Sequence, residues 1–438
     1  MGSKGNAHKH AQALLDFIDD SPSPWHAVNS IKQQLLASGF TELLESDAWN
    51  LSAGSSYFVI RGGSSIIAFR YGKAPIVDTG IRIIGAHTDS PGLRIKPNPT
   101  SVDPWIRLGV EIYGSPILAT FTDRDLSLAG TVLVRNNGFI EEMLVQFDRP
   151  LLRLPNLAIH LNRGVNEEGL KLHKHTEIPL ILDHSKSERA EGNVLKTLIS
   201  DEIKRPADTI IGFELCVHDT QKGSFWGPRE EFFADGRIDN LTSCHAALNA
   251  LIKSPASDHT SLCAFFDHEE IGSESHKGAS GSFLKDVLDR LNSETERHAP
   301  SFLRRALSKS LFISADAAHA FNPNFPSVYD PQHLVHINEG PALKINANQR
   351  YATDGNSAAR FSELCRLADV PLQTYIHRSD LGCGSTIGPM TAAKLGIPTI
   401  DCGVPMWAMH SLRESAGIHD QLWLSSVMEL YLKMSALP

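Results

Sequence analysis

The stretch IRIIGAHTD, residues 81–89, decides how this chain reads. Six mostly apolar residues, the length of one buried strand, run straight into His87, Thr88 and Asp89. The pattern then returns. LCAFF (262–266) runs into Asp267, His268, Glu269 and Glu270, and LFISA (311–315) runs into Asp316. GIPTID (396–401) reads as a last strand and leads through VPMWAM to His410. Helical patterns such as LTSCHAALNALIK (241–253) lie between several of these runs. Alternating strands and helices predict an α/β fold, a mixed, mostly parallel sheet sandwiched by helices.

Working outward, the texture changes between about residues 96 and 230. Short β-like pieces (LGVEIY, GTVLVRN, NLAIHLN, TIIGFELCVHD) alternate there with Gly, Asn and Asp turns, and helical patterns are sparse. A chain of 438 residues exceeds one comfortable hydrophobic core. The expected organisation is therefore a discontinuous catalytic domain (1–95 and 231–438) carrying an inserted β-rich domain (96–230).

The bulk numbers exclude some classes. A formal net charge of −9 does not suit a nucleic-acid binder, which presents a basic face. No run reaches the roughly 18–20 apolar residues of a membrane helix. The opening residues, MGSKGNAHKHAQ, lack the apolar stretch of a secretory signal and read as a mobile tail. Six cysteines are scattered through apolar segments with no CxxC pair, which fits reduced, buried thiols in a cytoplasmic protein. The histidines of HKH near the start and of KLHKHTE (171–177) read as surface residues.

The chemistry gathers at the strand ends. Ligands of open α/β sheets bind beyond the carboxyl ends of the strands. Four ends furnished with His, Asp and Glu therefore point to one shared site, with imidazole and carboxylate ligands suited to hydrolytic zinc, manganese or cobalt. Asp89 is spaced to accept the second ring N–H of a metal-bound His87, although HxD taken alone reads rather as a strand-end His beside a solvated Asp. In the pair Glu269-Glu270 one carboxylate can bind metal while the other accepts a proton. The pair also fits the acidic first turn of a helix. Asp239, in GRIDNLTSC, or its neighbour Asn240 can simply cap the helix that follows. His268-Glu269-Glu270-Ile271-Gly272 begins like HExxH but lacks the second His. GCGSTIG (382–388) lacks the Lys-Ser/Thr of a phosphate loop.

Assembled, these segments resemble the aspartyl aminopeptidase family. GAHTDSPGLRIKPNP (85–99), FTDRDLSLAG (121–130), NLAIHLNR (156–163), GRIDNLTSCHAAL (236–248) and DHEEIGSESHKGA (267–279) carry the resemblance. SADAAHAFNPNF (314–325), KINANQRYAT (344–353), GCGSTIGP (382–389) and AMHSLRE (408–414) continue it nearly to the end of the chain. The resemblance implies a metal-dependent aminopeptidase with two divalent ions, zinc first and manganese or cobalt as alternatives. His87 and Asp316 would hold one ion, Glu270 and His410 the other, and Asp239 both. Glu269 would be the general base, and His160 would come from a neighbouring subunit. Lys344, His319 and Tyr351 match positions near the bound substrate. Peptides with a free N-terminus, Asp or Glu first among them, would be the substrates, and a homododecamer built from dimers the assembly. A carboxypeptidase or deacylase on the same scaffold is the nearest alternative, and a non-catalytic binding protein that retains the fold is another.

Overall fold

The computed structural model describes residues 2–102, 104–184, 193–293 and 300–438. A nine-stranded sheet forms its centre, in the order Thr41–Leu43, Ser56–Arg61, Ser65–Arg70, Thr260–Phe266, Ile81–His87, Leu311–Ala315, Thr399–Gly403, Ala342–Ile345, Gln373–Ile376. The four strands from Thr260–Phe266 to Thr399–Gly403 are parallel neighbours, so their carboxyl ends open on one side. The Ala342–Ile345 strand runs antiparallel to the last of them, which makes the sheet mixed.

Continuous apolar runs form these strands because both faces are covered. Along the His87 strand, Ile84 and Ala86 enter one core with the helices Gly2–Asp19, Pro24–Ala37, Ile238–Lys253 and Ile418–Lys433. Ile81 and Ile83 enter the opposite core with Phe283, Leu288 and Ile387. Gly85 has to be small: a Cβ there would press on the Phe312 ring and sit 2.9 Å from Ile387. The glycine of the expected GIPTID strand has another job. Gly396 is the left-handed cap (φ 65°) of the helix Ile387–Leu395, and the strand begins only at Thr399.

Residues from Gly92 to Asp219 contribute a separate, six-stranded antiparallel sheet, ordered Phe139–Gln146, Leu126–Asn136, Ile210–Asp219, Gly92–Val102, Trp105–Tyr113, Leu180–His184. It has its own core of Leu93, Ile106, Leu128, Val132 and Leu215, closed by the helix Val194–Ile203. Asn193 caps that helix by accepting from the Lys196 N–H. A third sheet of five short strands sets Glu414–Gly417 and Ala318–His319 beside the central sheet's open end.

Two expectations are corrected here. NLAIHLN forms no strand: residues 155–161 are an exposed loop ending in a turn. The segment alternates as a strand would, yet Leu157, Ile159 and Leu161 are 63%, 47% and 74% exposed, and no sheet among the described residues covers them. Nor is the N-terminus a tail. Gly2–Asp19 is helical and buries Ala7, Ala11, Leu14 and Leu15. Of its histidines, His10 packs against His245 at 5.2 Å and is no surface group, while His8 stacks on Phe225 at 3.9 Å with 38% of its side chain exposed. The His173-Lys174-His175 run is exposed, and all six cysteines are free thiols.

The seam beneath the first two helices has a consequence for acid stability. Burial, aided by the charge of Arg237 or Lys253, pulls the imidazoles of His10, His26 and His218 down to about 4. Burial, with His10 beside it, takes His245 to about 3. The unfolded chain therefore binds more protons than the folded one below 6.5, the ordinary histidine value. This contribution to stability is present above pH 6.5 and drains away as pH falls toward 4. Melting temperature should drop through that window, and His245→Gln should flatten the fall; an unchanged slope in the variant would remove His245 from the account.

Candidate active site

Each wall of the site is placed by a strand end or by a loop tied to one. His87 closes its strand, buried, with Nδ1 3.0 Å from the Asp89 carbonyl oxygen and 3.4 Å from Asp89 Oδ1. With its proton on Nδ1 donated there, the ring turns Nε2 toward Asp239 Oδ1 (3.5 Å), Glu269 Oε2 (3.9 Å) and Asp316 Oδ1 (4.0 Å).

Asp89 is engaged beyond His87. Its fully buried carboxylate accepts from the Tyr113 hydroxyl at 2.7 Å and from the backbone N–H groups of Glu269 and Glu270, each at 3.1 Å. One side chain thus fixes both the His87 ring and the turn that presents the two glutamates. Burial alone would raise the Asp89 pKa; His87 and these donors hold it below the usual carboxylate range.

Asp239 lies where the expected cap residue stands, but its side chain caps nothing. The Asp239–Asn240 peptide bond is cis, and Asp239 Oδ1 is buried without a hydrogen-bond partner. Its other oxygen, Oδ2, is 3.4 Å from His410 Nε2, which is also 3.4 Å from Glu270 Oε1. The two oxygens of one carboxylate therefore face two different imidazoles. On the far side, Asp316 Oδ2 lies 3.7 Å from the Lys344 ammonium, which donates to the Ala317 carbonyl oxygen at 2.8 Å. Gly403 has to be small, because a Cβ there would collide with the Asp316 backbone carbonyl.

The electrostatics of this cluster call for positive charge. Burial, reinforced by neighbouring carboxylates, pushes Glu269 well above its ordinary value, Glu270 to about 7 and Asp316 to about 6. Burial would lower His410, yet Asp239 and Glu270 raise it to about 11. Burial would likewise lower His87, and the carboxylates of Asp239 and Asp89 carry it well above. Four acids and two imidazoles pressed together in this way fit a divalent metal centre. His87, Asp239 and Glu270 offer ligand atoms all within 4.8 Å of one another. The oxygen and nitrogen donors and the unpartnered Asp239 Oδ1 suit a zinc-type ion.

The remaining candidates divide clearly. His319, Lys344 and Tyr351 line the same cavity of about 320 Å³ as His87, Asp239, Glu269, Glu270, Asp316 and His410. The Lys344 ammonium lies 5.1 Å from the centroid of the buried Tyr351 ring. GCGSTIG, dismissed as a phosphate loop, supplies Gly384, Ser385 and Thr386 to the wall. His160 is apart from all of this, on the exposed 155–161 loop.

Sequence reasoning missed three supports. Glu414, fully buried, accepts from the Asp239 N–H at 3.0 Å and the His410 N–H at 2.6 Å, holding two walls with one carboxylate. Its only signal was its place in AMHSLRE, four residues after His410. Asp401 accepts from the Thr386 hydroxyl and the Ala352 N–H, both at 2.6 Å, tying the 382–388 loop to the Tyr351 segment. Tyr113 comes from the six-stranded sheet, and nothing in its own sequence neighbourhood announces it.

Histidines and carboxylates at the open end of parallel strands, around an unpartnered buried aspartate oxygen, define the class: a metal-dependent hydrolase. Comparison with known proteins narrows it. Residues 17–431 match the model of the aminopeptidase I zinc metalloprotease family, M18. A probable M18 family aminopeptidase 2 of Pseudomonas aeruginosa is 44% identical, over 98% of this chain and 99% of its own. Among solved structures, one of an Ape4 and Nbr1 complex superposes with a TM-score of 0.93 at 38% identity, covering 98% of this chain and 86% of that one. The mApe1 dodecamer of S. cerevesiae gives 0.84 at 28% identity, covering 96% and 95%. The chain belongs to the M18 family of zinc aminopeptidases. It is thus a metalloaminopeptidase, which removes N-terminal residues from peptides.

Proposed function

We propose that the site holds two divalent ions, zinc first, through His87 and Asp316 on one side and Glu270 and His410 on the other, with Asp239 reaching both. The observation that carries this reading is the split of the Asp239 carboxylate, Oδ1 toward His87 and Oδ2 toward His410. Bound metal would supply an acidified water and polarisation of the scissile carbonyl.

The chain's own groups do the rest. Glu269, held by its backbone to Asp89, takes the proton of the attacking water and returns it to the leaving amine. Burial raises its pKa above the usual carboxylate range, which favours the proton-holding form between the two transfers. Asp89 orients His87, and Glu414 and Asp401 hold the walls in register. Tyr351, and His160 brought from a neighbouring copy, donate to the oxyanion. Exposed Leu157, Ile159 and Leu161 around His160 support that docking, and with it a homododecamer built from dimers through the Gly92–Asp219 unit. The cytoplasm is the proposed location, in keeping with six free thiols.

The decisive experiment compares a free peptide with its N-acetylated form, with and without chelator. Turnover of the free peptide alone, abolished by chelation, is expected. Equal cleavage of the acetylated peptide would move the reading to the deacylase or carboxypeptidase alternative.

Acidic first residues are the proposed preference. Lys344 is buried in the cavity wall, and among the described residues its one acidic neighbour within 4 Å is Asp316. Lys344→Met should lower kcat/KM for Asp-p-nitroanilide by at least about tenfold relative to Leu-p-nitroanilide. A wild-type preference for Leu would remove the acidic assignment.

A further inference from the structure

A second cavity, of about 190 Å³, opens beside the first. We propose that it is the subsite for the residue that follows the scissile bond, and that it selects apolar and aromatic side chains at that position. The inference rests on the catalytic reading above, which places the first residue against Lys344.

Continuity comes first. His319 and Met409 line both cavities, so a peptide whose first residue lies among the metal-facing groups passes directly from one to the other. An extended chain advances roughly 3.3 Å per residue and turns successive side chains to opposite sides. The neighbouring cavity therefore meets the second residue while the first keeps its own.

The walls then choose the occupant. Val328, Tyr329, Tyr375, Leu381, Met406 and Trp407 provide them. Trp407 donates from Nε1 to the Phe321 carbonyl oxygen at 2.8 Å and is backed by Phe232 at 5.8 Å, which fixes its ring. Tyr375 is buried, with its hydroxyl 2.6 Å from His377 Nδ1 and its ring edge-on to His319. Charges at the rim are already committed. Asp330 pairs with His333 at 2.9 Å, and Arg378 pairs with Asp380 at 2.7 Å and donates to the Ser327 carbonyl. The full cation in its lining is Arg378, whose guanidinium is already held by Asp380 and the Ser327 carbonyl, so an acidic side chain would have to compete for it. An apolar cavity of ~150 Å³ holds a benzene ring, and this one is larger. Val328 and Leu381, 46% and 43% exposed, wait at its mouth.

The test uses the metal-loaded full chain and dipeptides that share one first residue and carry Ala, Leu, Phe or Glu second. kcat/KM for Phe should exceed that for Ala by roughly tenfold or more, the scale of burying an aromatic ring, with Glu lowest. Leu381→Glu, at an exposed position that folding tolerates, should cut the Phe-to-Ala ratio to about threefold or less. Equal wild-type rates for all four dipeptides would overturn the subsite and leave the aminopeptidase reading intact. Turnover of none would overturn the catalytic placement on which the subsite rests. A Leu381→Glu variant that keeps the Phe preference but changes elution volume on size exclusion would show a second copy of the chain in the cavity, and would overturn the inference.

Discussion

Glu269→Gln is expected to lower kcat for peptide hydrolysis by about 10²–10⁴-fold while bound metal stays at the wild-type level. The amide keeps the size and most of the packing of the side chain but cannot accept a proton. Glu269 is the carboxylate best placed to be spared for that work. Its Oε2 is 3.9 Å from His87 Nε2, whereas the adjacent Glu270 lies 3.4 Å from His410. The backbone bonds from both residues to Asp89 do not depend on either side chain, so the turn should persist in the variant. Steady-state kinetics with elemental analysis of the same sample separates the roles. A kcat within about threefold of wild type would assign proton transfer elsewhere, and loss of metal together with activity would make Glu269 a ligand.

Asp239→Asn should have the larger effect on the resting protein. One carboxylate serves two imidazoles, and an amide can offer an acceptor to only one of them. Bound metal should fall below half of the wild-type content, and activity by more than about 10³-fold. Thermal melts give an independent reading. A ligand that binds only the folded state at 100 times its Kd adds about 2.7 kcal/mol of stability, so the wild type should melt several degrees higher with metal than after chelation. The variant should lose most of that difference. A variant that still takes up a full complement and still gains stability would show that Asp239 does not join the two halves of the site.

What could be read beforehand follows from how local each signal is. The runs before His87, Glu269 and Asp316 were legible because a strand buried on both faces must be continuously apolar, and because such strands end where ligands bind. Within the site, residue types that few other roles require in that pattern, such as tandem glutamates and a strand-end histidine, drew attention. Glu414 and Tyr113 did not, since their value lies in backbone N–H groups and a carboxylate brought from far along the chain. NLAIHLN misled for a physical reason: alternation records which side chains avoid water, and a loop that leaves them exposed within one chain alternates just as well. The first helix was missed because the stretch read as a tail buries only the small Ala7 and Ala11, while the larger apolar residues that seat the helix, Leu14, Leu15 and Ile18, follow it.

The groups around the proposed metal centre stand at positions 87, 239, 269, 270, 316 and 410, and they meet only when distant strands have closed into one sheet. A chain still leaving the ribosome carries none of this machinery in working order, because its last imidazole has not been made and Glu414 has not yet pinned Asp239. On the proposed centre, hydrolytic capacity would be a late product of synthesis.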